Sequence, residues 1–229
     1  MLIFILMTKG IIQILGLIMS NAIRLKYIKP KLKLDKNLII VGSSSKLLNF
    51  DGKKIDQFDS VVRFNRAPTI GYEDFVGNKT SLRVMNNHTF DNFDLEDRFT
   101  GQPRSFIPNL KDQNILRFSF GKPKINWEEE YDSSINHFFF NYKKIKKLKN
   151  IFNYNSSKLM MTGTAFICLC VLSGLKPNII GFETKKQIHH HNHYWEELDN
   201  EASPSHEKNE DMKVINNLIN SREVNSIEL

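Results

Sequence analysis

The apolar run Leu38-Ile39-Ile40-Val41 ends abruptly at Gly42, which three serines follow. Four consecutive apolar residues without alternation suit a strand covered on both faces, the habit of a parallel sheet. A glycine–serine turn directly after such a strand frees backbone N–H groups, the usual entry to a phosphate-holding loop. The same reading continues along the chain. Residues 60–64 predict a second strand, closed by Asn65 and Pro68, and residues 81–85 a third, with further strands over 104–108 and 115–120. Thr162-Gly163-Thr164 opens a long apolar run through Leu172 that stops at Ser173-Gly174, the pattern of a capped, buried helix. A strand over 178–182 follows Pro177, and a last helix is expected to begin near Ser203, Pro204 or Ser205, burying Met212, Ile215, Leu218 and Ile219.

Strands alternating with buried helices predict one α/β domain built on a largely parallel twisted sheet flanked by helices. Ligands of such sheets bind beyond the carboxyl ends of the strands, here near Gly42, Asn65 and Phe182. At 229 residues the chain has room for one well-packed domain.

The net charge of +7 is unevenly placed. Residues 1–36 carry Lys9, Arg24, Lys26, Lys29, Lys31, Lys33 and Lys36 against Asp35, a balance of +6, which leaves +1 for residues 37–229. A basic tract beside an apolar segment suits an anionic membrane surface better than a nucleic-acid groove. Residues 2–19 are mostly apolar but short for a spanning helix and interrupted by Lys9 and Gln13, so an interfacial amphipathic helix fits equally well. Two units follow: an apolar helix with a basic linker over 1–36, and a catalytic domain over 37–229. A second lysine cluster, Lys143 to Lys149, reads as a solvated helix face. Cys168 and Cys170 point in different directions on a helix and should not bridge each other.

Four stretches hold the chemistry. The first runs from Val41-Gly42-Ser43-Ser44-Ser45 through Ile55-Asp56, Asp59, Arg63-Phe64-Asn65-Arg66-Ala67-Pro68 and Gly71 to Val76-Gly77 and Thr80. The second is Thr162-Gly163-Thr164 with Gly181-Phe182, the third His193-Tyr194-Trp195-Glu196, and the fourth His206 followed by Asp211. In this order they resemble the sialyl motifs of the animal-type sialyltransferase family. The long motif of that family (V-G-N-S, I-D, D-x-V-x-R-x-N-x-A-P, D-V-G-x-K-T) is followed from Val41 to Thr80. The small motif is matched from Met161 to Phe182, H-Y-x-[DE] from His193 to Glu196, and H-x4-E from His206 to Asp211, with Asp in place of Glu. Ser43 stands where the family has Asn, and Met161 where it has Ser. The cysteine pair that links the long and small motifs is absent, which fits a reducing, cytoplasmic compartment for the catalytic domain, while the N-terminal tract over 2–36 is what suggests membrane association.

The resemblance implies a Rossmann-like domain of the GT-A-like variety that moves sialic acid from CMP-sialic acid to a glycan acceptor, inverting and without a metal cofactor. It implies His206 as the base, and His193 as a contact of the donor phosphate. It further implies that Thr162, Gly163 and Thr164 offer backbone N–H groups, and that Gly42, Ser43, Asn65, Gly181 and Phe182 line the nucleotide pocket. Placement of His206 in the first turn of the last helix would keep its ring neutral, as a base requires. One phosphate leaves with CMP, so its charge can be met without the Asp-x-Asp metal site of many diphosphate transferases, and the chain has no such pair. A CMP-Kdo donor would use much the same pocket, and a non-catalytic CMP-sugar binder is the reading furthest from an enzyme. His189-His190-His191-Asn192-His193 is a competing metal site, since His189 and His193 are spaced i, i+4.

Overall fold

The structure is a computed structural model and describes residues 34–86, 115–119, 137–184, 193–195 and 207–229. Among the described residues, seven strands form one sheet: β1 (Leu38–Val41), β2 (Ser60–Phe64), β3 (Leu82–Asn86), β4 (Ile115–Ser119), β5 (His137–Asn141), β6 (Asn178–Ile180) and β7 (Asn225–Ser226). Their order is β5-β4-β3-β2-β1-β6-β7, and every neighbouring pair is parallel. The helices are α1 (Gly52–Asp56), α2 (Glu73–Val76), α3 (Tyr142–Ile151), α4 (Thr162–Leu172) and α5 (Lys208–Asn220), with a 3-10 helix over Ser45–Asn49.

All four residues of β1 are buried, as a central parallel strand requires. Alternate residues feed two cores. Leu38, Ile40, Val62, Leu82 and Val84 face the larger one, where α4 packs with α5. Ile39, Val41 and Val61 face the smaller one, with Leu47, Ile55, Val76 and Tyr194. Helix α4 is apolar on every side and is buried from Thr164 to Cys170, the signature of a central helix. Cys168 and Cys170 lie in it as free thiols, and burial pushes both thiol pKa values up. In α3, Lys146 and Lys147 are exposed, as a solvated face predicts.

Several boundaries differ from the sequence reading. The strand expected over 178–182 stops at Ile180, because Gly181 turns the chain with φ +73°. Strand β3 starts one residue late: Ser81 N–H still donates to Val61 O at 2.8 Å, but the Val61 N–H goes to the Ser81 hydroxyl rather than to a backbone carbonyl, so the ladder is incomplete there. The last helix starts at Lys208, not near Ser203–Ser205; Glu207 is its N-cap, and Glu210 and Asp211 occupy its first turn, where acids are favoured. Its buried face is Asp211, Val214, Ile215 and Leu218, with Met212 and Ile219 only partly covered. The strand expected over 104–108 and the apolar segment 2–19 lie outside the described residues. Among the described residues, no helix is long and apolar enough to cross a membrane.

Candidate active site

From β1 the chain steps outward one way through β2, β3, β4 and β5, and then returns to β6 on the other side of β1. The reversal makes β1/β6 the topological switch point, where the two outgoing loops diverge and leave a crevice. Gly42-Ser43 leaves β1 there and Gly181-Phe182 leaves β6. Gly42 N–H donates to Ile180 O at 2.7 Å, and Ser44 N–H to Gly181 O at 3.2 Å. A β-carbon on Gly42 would collide with the Gly181 carbonyl, and one on Gly181 would press into Leu47 at 2.7 Å. Two glycines are thus required by contact, whatever they do for a ligand.

His193 enters from a distant stretch. It forms an antiparallel bridge with Ser44, and Tyr194 N–H donates to Ser43 O at 3.0 Å. The exposed His193 ring stacks on Trp195, centroids 4.6 Å apart and planes 7° from parallel. Tyr194 turns inward: its hydroxyl donates to Pro68 O, and its ring meets Tyr72 and Trp195 edge-on. Burial pushes the Tyr194 hydroxyl pKa up, against a downward pull from Arg63 and Arg83, so it is a neutral donor.

On the other wall, the first turn of α4 faces Phe182. A β-carbon at Gly163 would stand 2.8 Å from Phe182 Cε1 and 3.7 Å from Phe64 Cε2. Phe64 sits edge-to-face with both Phe166 and Phe182, at 6.1 Å each. Met161 O takes the first helical bond from Ala165 N–H, which leaves the N–H groups of Thr162, Gly163 and Thr164 outside the ladder of the helix. The side chains of Thr162 and Thr164 are buried, and Thr164 Oγ1 has no hydrogen-bond partner. What this turn can offer an anion is therefore backbone, assisted by the helix dipole.

Asn65 follows β2 in a left-handed conformation, φ 45°. Its side-chain Oδ1 accepts Asn86 N–H at 3.0 Å, which fixes the amide plane and leaves Nδ2 as the remaining donor.

A family model for glycosyltransferase family 29 (sialyltransferase) matches residues 12–223. The chain belongs to that family. It is 47% identical over 58 residues to beta-galactoside alpha-2,6-sialyltransferase 2 of Danio rerio, and 45% identical over 58 residues to the Homo sapiens protein of that name. Those stretches span 25% of this chain and 11% of each relative. Two mammalian sialyltransferase crystal structures share the fold, with TM-scores of 0.61 and 0.59 at 17% and 18% identity. Each match covers 91% of this chain and 78% of the other. One of them is in complex with Gal-beta-1-3GalNAc-ortho-nitrophenol. The Rossmann-like, GT-A-like architecture expected from the sequence is the one observed.

The residues at the strand ends and those behind them divide into two groups by position. Gly42, Ser43, Gly181, Phe182 and His193 meet at the switch point, with Gly163 against Phe182. His206 lies outside the described residues, as do His189, His190, His191 and Glu196. The last helix begins at Lys208, two positions after His206 in the chain. Among the described residues, no group of three metal-ligating side chains forms.

The second group is a structural clasp, to which the motif pattern alone assigns no role. Arg63 and Arg83 lie side by side on β2 and β3, and both are buried. Arg63 Nη2 donates to Val76 O at 2.6 Å and Gly77 O at 3.2 Å, and its Nε to Lys79 O and Thr80 Oγ1 at 3.1 Å each. Arg83 Nη1 donates to Asn65 O and Ala67 O, at 2.9 Å each. Asp56 accepts the N–H groups of Asn78 and Lys79 at 2.9 Å each. Burial lowers both arginine pKa values; Arg83 is pushed down to about 10, by burial first and by Arg63 second. The legible signal is a pair of charges inside apolar strands, where charges belong only when their donors are used.

Proposed function

We propose that the chain transfers sialic acid, or a related acidic keto-sugar, from a CMP-linked donor to a hydroxyl of an acceptor glycan, with inversion and without a metal cofactor. The observation that carries this reading is the meeting of Gly42, Ser43, Gly181, Phe182 and His193 at the switch point of a family 29 chain. In the reaction, the acceptor oxygen attacks the anomeric carbon as its proton passes to His206. The bond from that carbon to the phosphate oxygen breaks on the opposite face, and CMP leaves with the electron pair. His193 donates toward the departing phosphate, and the N–H groups of Thr162, Gly163 and Thr164 meet its charge. Asn65 Nδ2 donates to the nucleotide, and Ser43 contributes a shorter, weaker contact than an asparagine would. Residues 1–36 act as a basic tether that can rest on a membrane surface, and residues 37–229 as the catalytic domain.

The test is release of CMP from CMP-sialic acid and from CMP-Kdo in EDTA, with a β-galactoside acceptor, comparing wild type with His206→Ala. The expected result is EDTA-resistant release that falls by at least about 100-fold in the variant, the scale of a lost general base. Release that His206→Ala leaves unchanged removes His206 from the base role. Binding of CMP without release from either donor would make the chain a CMP-sugar binder. Failure to bind CMP at all would sink the reading.

A further inference from the structure

Asp211 shares the apolar face of α5 with Val214, Ile215 and Leu218, and it is 0% exposed. An acid at that depth needs its oxygens used. Its Oδ1 accepts Met161 N–H at 2.9 Å, and its Oδ2 accepts the Tyr154 hydroxyl at 3.1 Å. The Tyr154 oxygen is also 3.2 Å from Leu159 O. Neighbouring acids reinforce the dock. Glu210 Oε2 accepts Asn155 N–H at 2.8 Å, and Glu207 Oε2 lies 3.8 Å from Lys158 Nζ. From α3, Lys149 Nζ donates to Ser156 O and Lys158 O and lies 5.1 Å from the Tyr154 ring centroid. The loop before α4 is therefore stitched to the first turn of α5.

Met161 is the N-cap of α4, and its side chain makes no capping hydrogen bond. Its peptide nevertheless has a fixed direction, because the Asp211 carboxylate holds its N–H. The next three N–H groups, those of Thr162, Gly163 and Thr164, radiate from the same turn.

We propose that Asp211 is a positioning residue for the donor: by holding Met161 N–H it aims the first-turn amides of α4 without touching the ligand. This rests on the reading above, in which those amides meet the donor phosphate. It also separates the two oxygens of one side chain. The Met161 bond sets the amides, and the Tyr154 bond serves the packing of the loop.

Three variants of the full chain test it: Asp211→Ala, which loses both bonds; Tyr154→Phe, which loses only the second; and Met161→Pro, which deletes the N–H at a position whose φ of −58° already suits proline. CMP affinity is read by calorimetry, donor KM and kcat by CMP release, and stability by the thermal midpoint. Asp211→Ala and Met161→Pro should each weaken CMP binding about ten-fold, a shift of about 1.4 kcal/mol, and raise donor KM far more than they lower kcat. The two effects should not add in the double variant, because one bond is being removed twice. Tyr154→Phe should lower the midpoint while CMP affinity stays at the wild-type value. If Asp211→Ala does not fold, Met161→Pro decides. Equal loss of CMP affinity in Tyr154→Phe, or wild-type affinity in Met161→Pro, overturns the proposal. Wild-type protein that binds no CMP would instead condemn the reading of the site itself, and so the two failures are distinct.

Discussion

Gly42 and Gly181 pack backbone against backbone at the ends of neighbouring strands, so that a β-carbon on the first would land on the carbonyl oxygen of the second. The crevice at the switch point thus begins where neither loop can carry a side chain.

Three glycine substitutions should therefore behave differently. Gly42→Ala collides with main chain, and relief requires parting the Gly42 N–H from Ile180 O; it should give little soluble protein or a midpoint lowered by many degrees. Gly163→Ala meets only the edge of the Phe182 ring, which can shift, so the protein should fold and lose CMP affinity. Gly174, φ +76°, has open space where a methyl group would project, with no atom within 4 Å, so Gly174→Ala should cost only the left-handed backbone penalty of roughly 1 kcal/mol. Thermal melts beside CMP calorimetry separate the three, and equal behaviour would refute the contact argument.

Asn65→Asp keeps the oxygen that accepts Asn86 N–H and deletes the amide donor, and aspartate tolerates the left-handed conformation. CMP binding should weaken at least about ten-fold, on the scale of a lost hydrogen bond plus an added negative charge. The melting midpoint should hardly move. Unchanged CMP affinity would place Asn65 in the fold alone.

Removal of the Arg63 guanidinium strands four acceptors: the carbonyls of Val76, Gly77 and Lys79, and the Thr80 hydroxyl. Arg63→Met should destabilise by on the order of 3 kcal/mol, after the relief of a buried charge offsets part of the loss. Thr80→Val, which removes one acceptor, should cost about 1 kcal/mol. Urea unfolding measures both, and a larger effect for Thr80→Val would contradict the clasp.

Alkaline pH should act through Tyr154, whose pKa is raised above the ordinary tyrosine value first by burial and then by Asp211. A raised pKa in the folded state means the stabilisation is fully present below the unfolded value of about 10 and is lost as pH climbs past it, because only the unfolded chain releases the proton readily. The stability advantage of wild type over Tyr154→Phe should therefore hold up to about pH 10 and shrink as pH rises above it. Arg83, whose pKa burial lowers to about 10, is common to both proteins and cancels in the difference. A gap that widens with pH would reverse the sign of this account.

The parts of the fold legible in the sequence are those with unbroken apolar runs. Leu38–Val41 and the run of α4 announce a central strand and a central helix, and Gly174 announces the helix end, because burial on all sides leaves no polar residue to confuse the pattern. Strand β7 leaves no signal, since it is two residues long and exposed, and it exists only by pairing with β6. A start for α5 read from the sequence falls too early, because Ser203-Pro204 has the chemistry of a cap, whereas the acids at Glu210 and Asp211 mark the real first turn. Gly42, Ser43, Gly181 and Phe182 are legible as turn residues beyond strands. Asp211 stands out as the one acid in an i, i+3, i+4, i+7 apolar stripe, but its partners Met161 and Tyr154 lie 50 and 57 positions away, a pairing only the fold reveals.

The β1/β6 neighbourhood has a consequence for the order of assembly. Leu38 O and Asn178 Nδ2 are bonded across 140 positions of chain, whereas β1, β2 and β3 pair over short loops. Contacts that close long loops bear the greater entropic cost and lag behind local ones. On the ribosome, the half-sheet with its arginine clasp can be complete while the other wall of the crevice is still unmade. The β1/β6 crevice therefore exists only once Gly181 has emerged, long after the strands on its other side have been made.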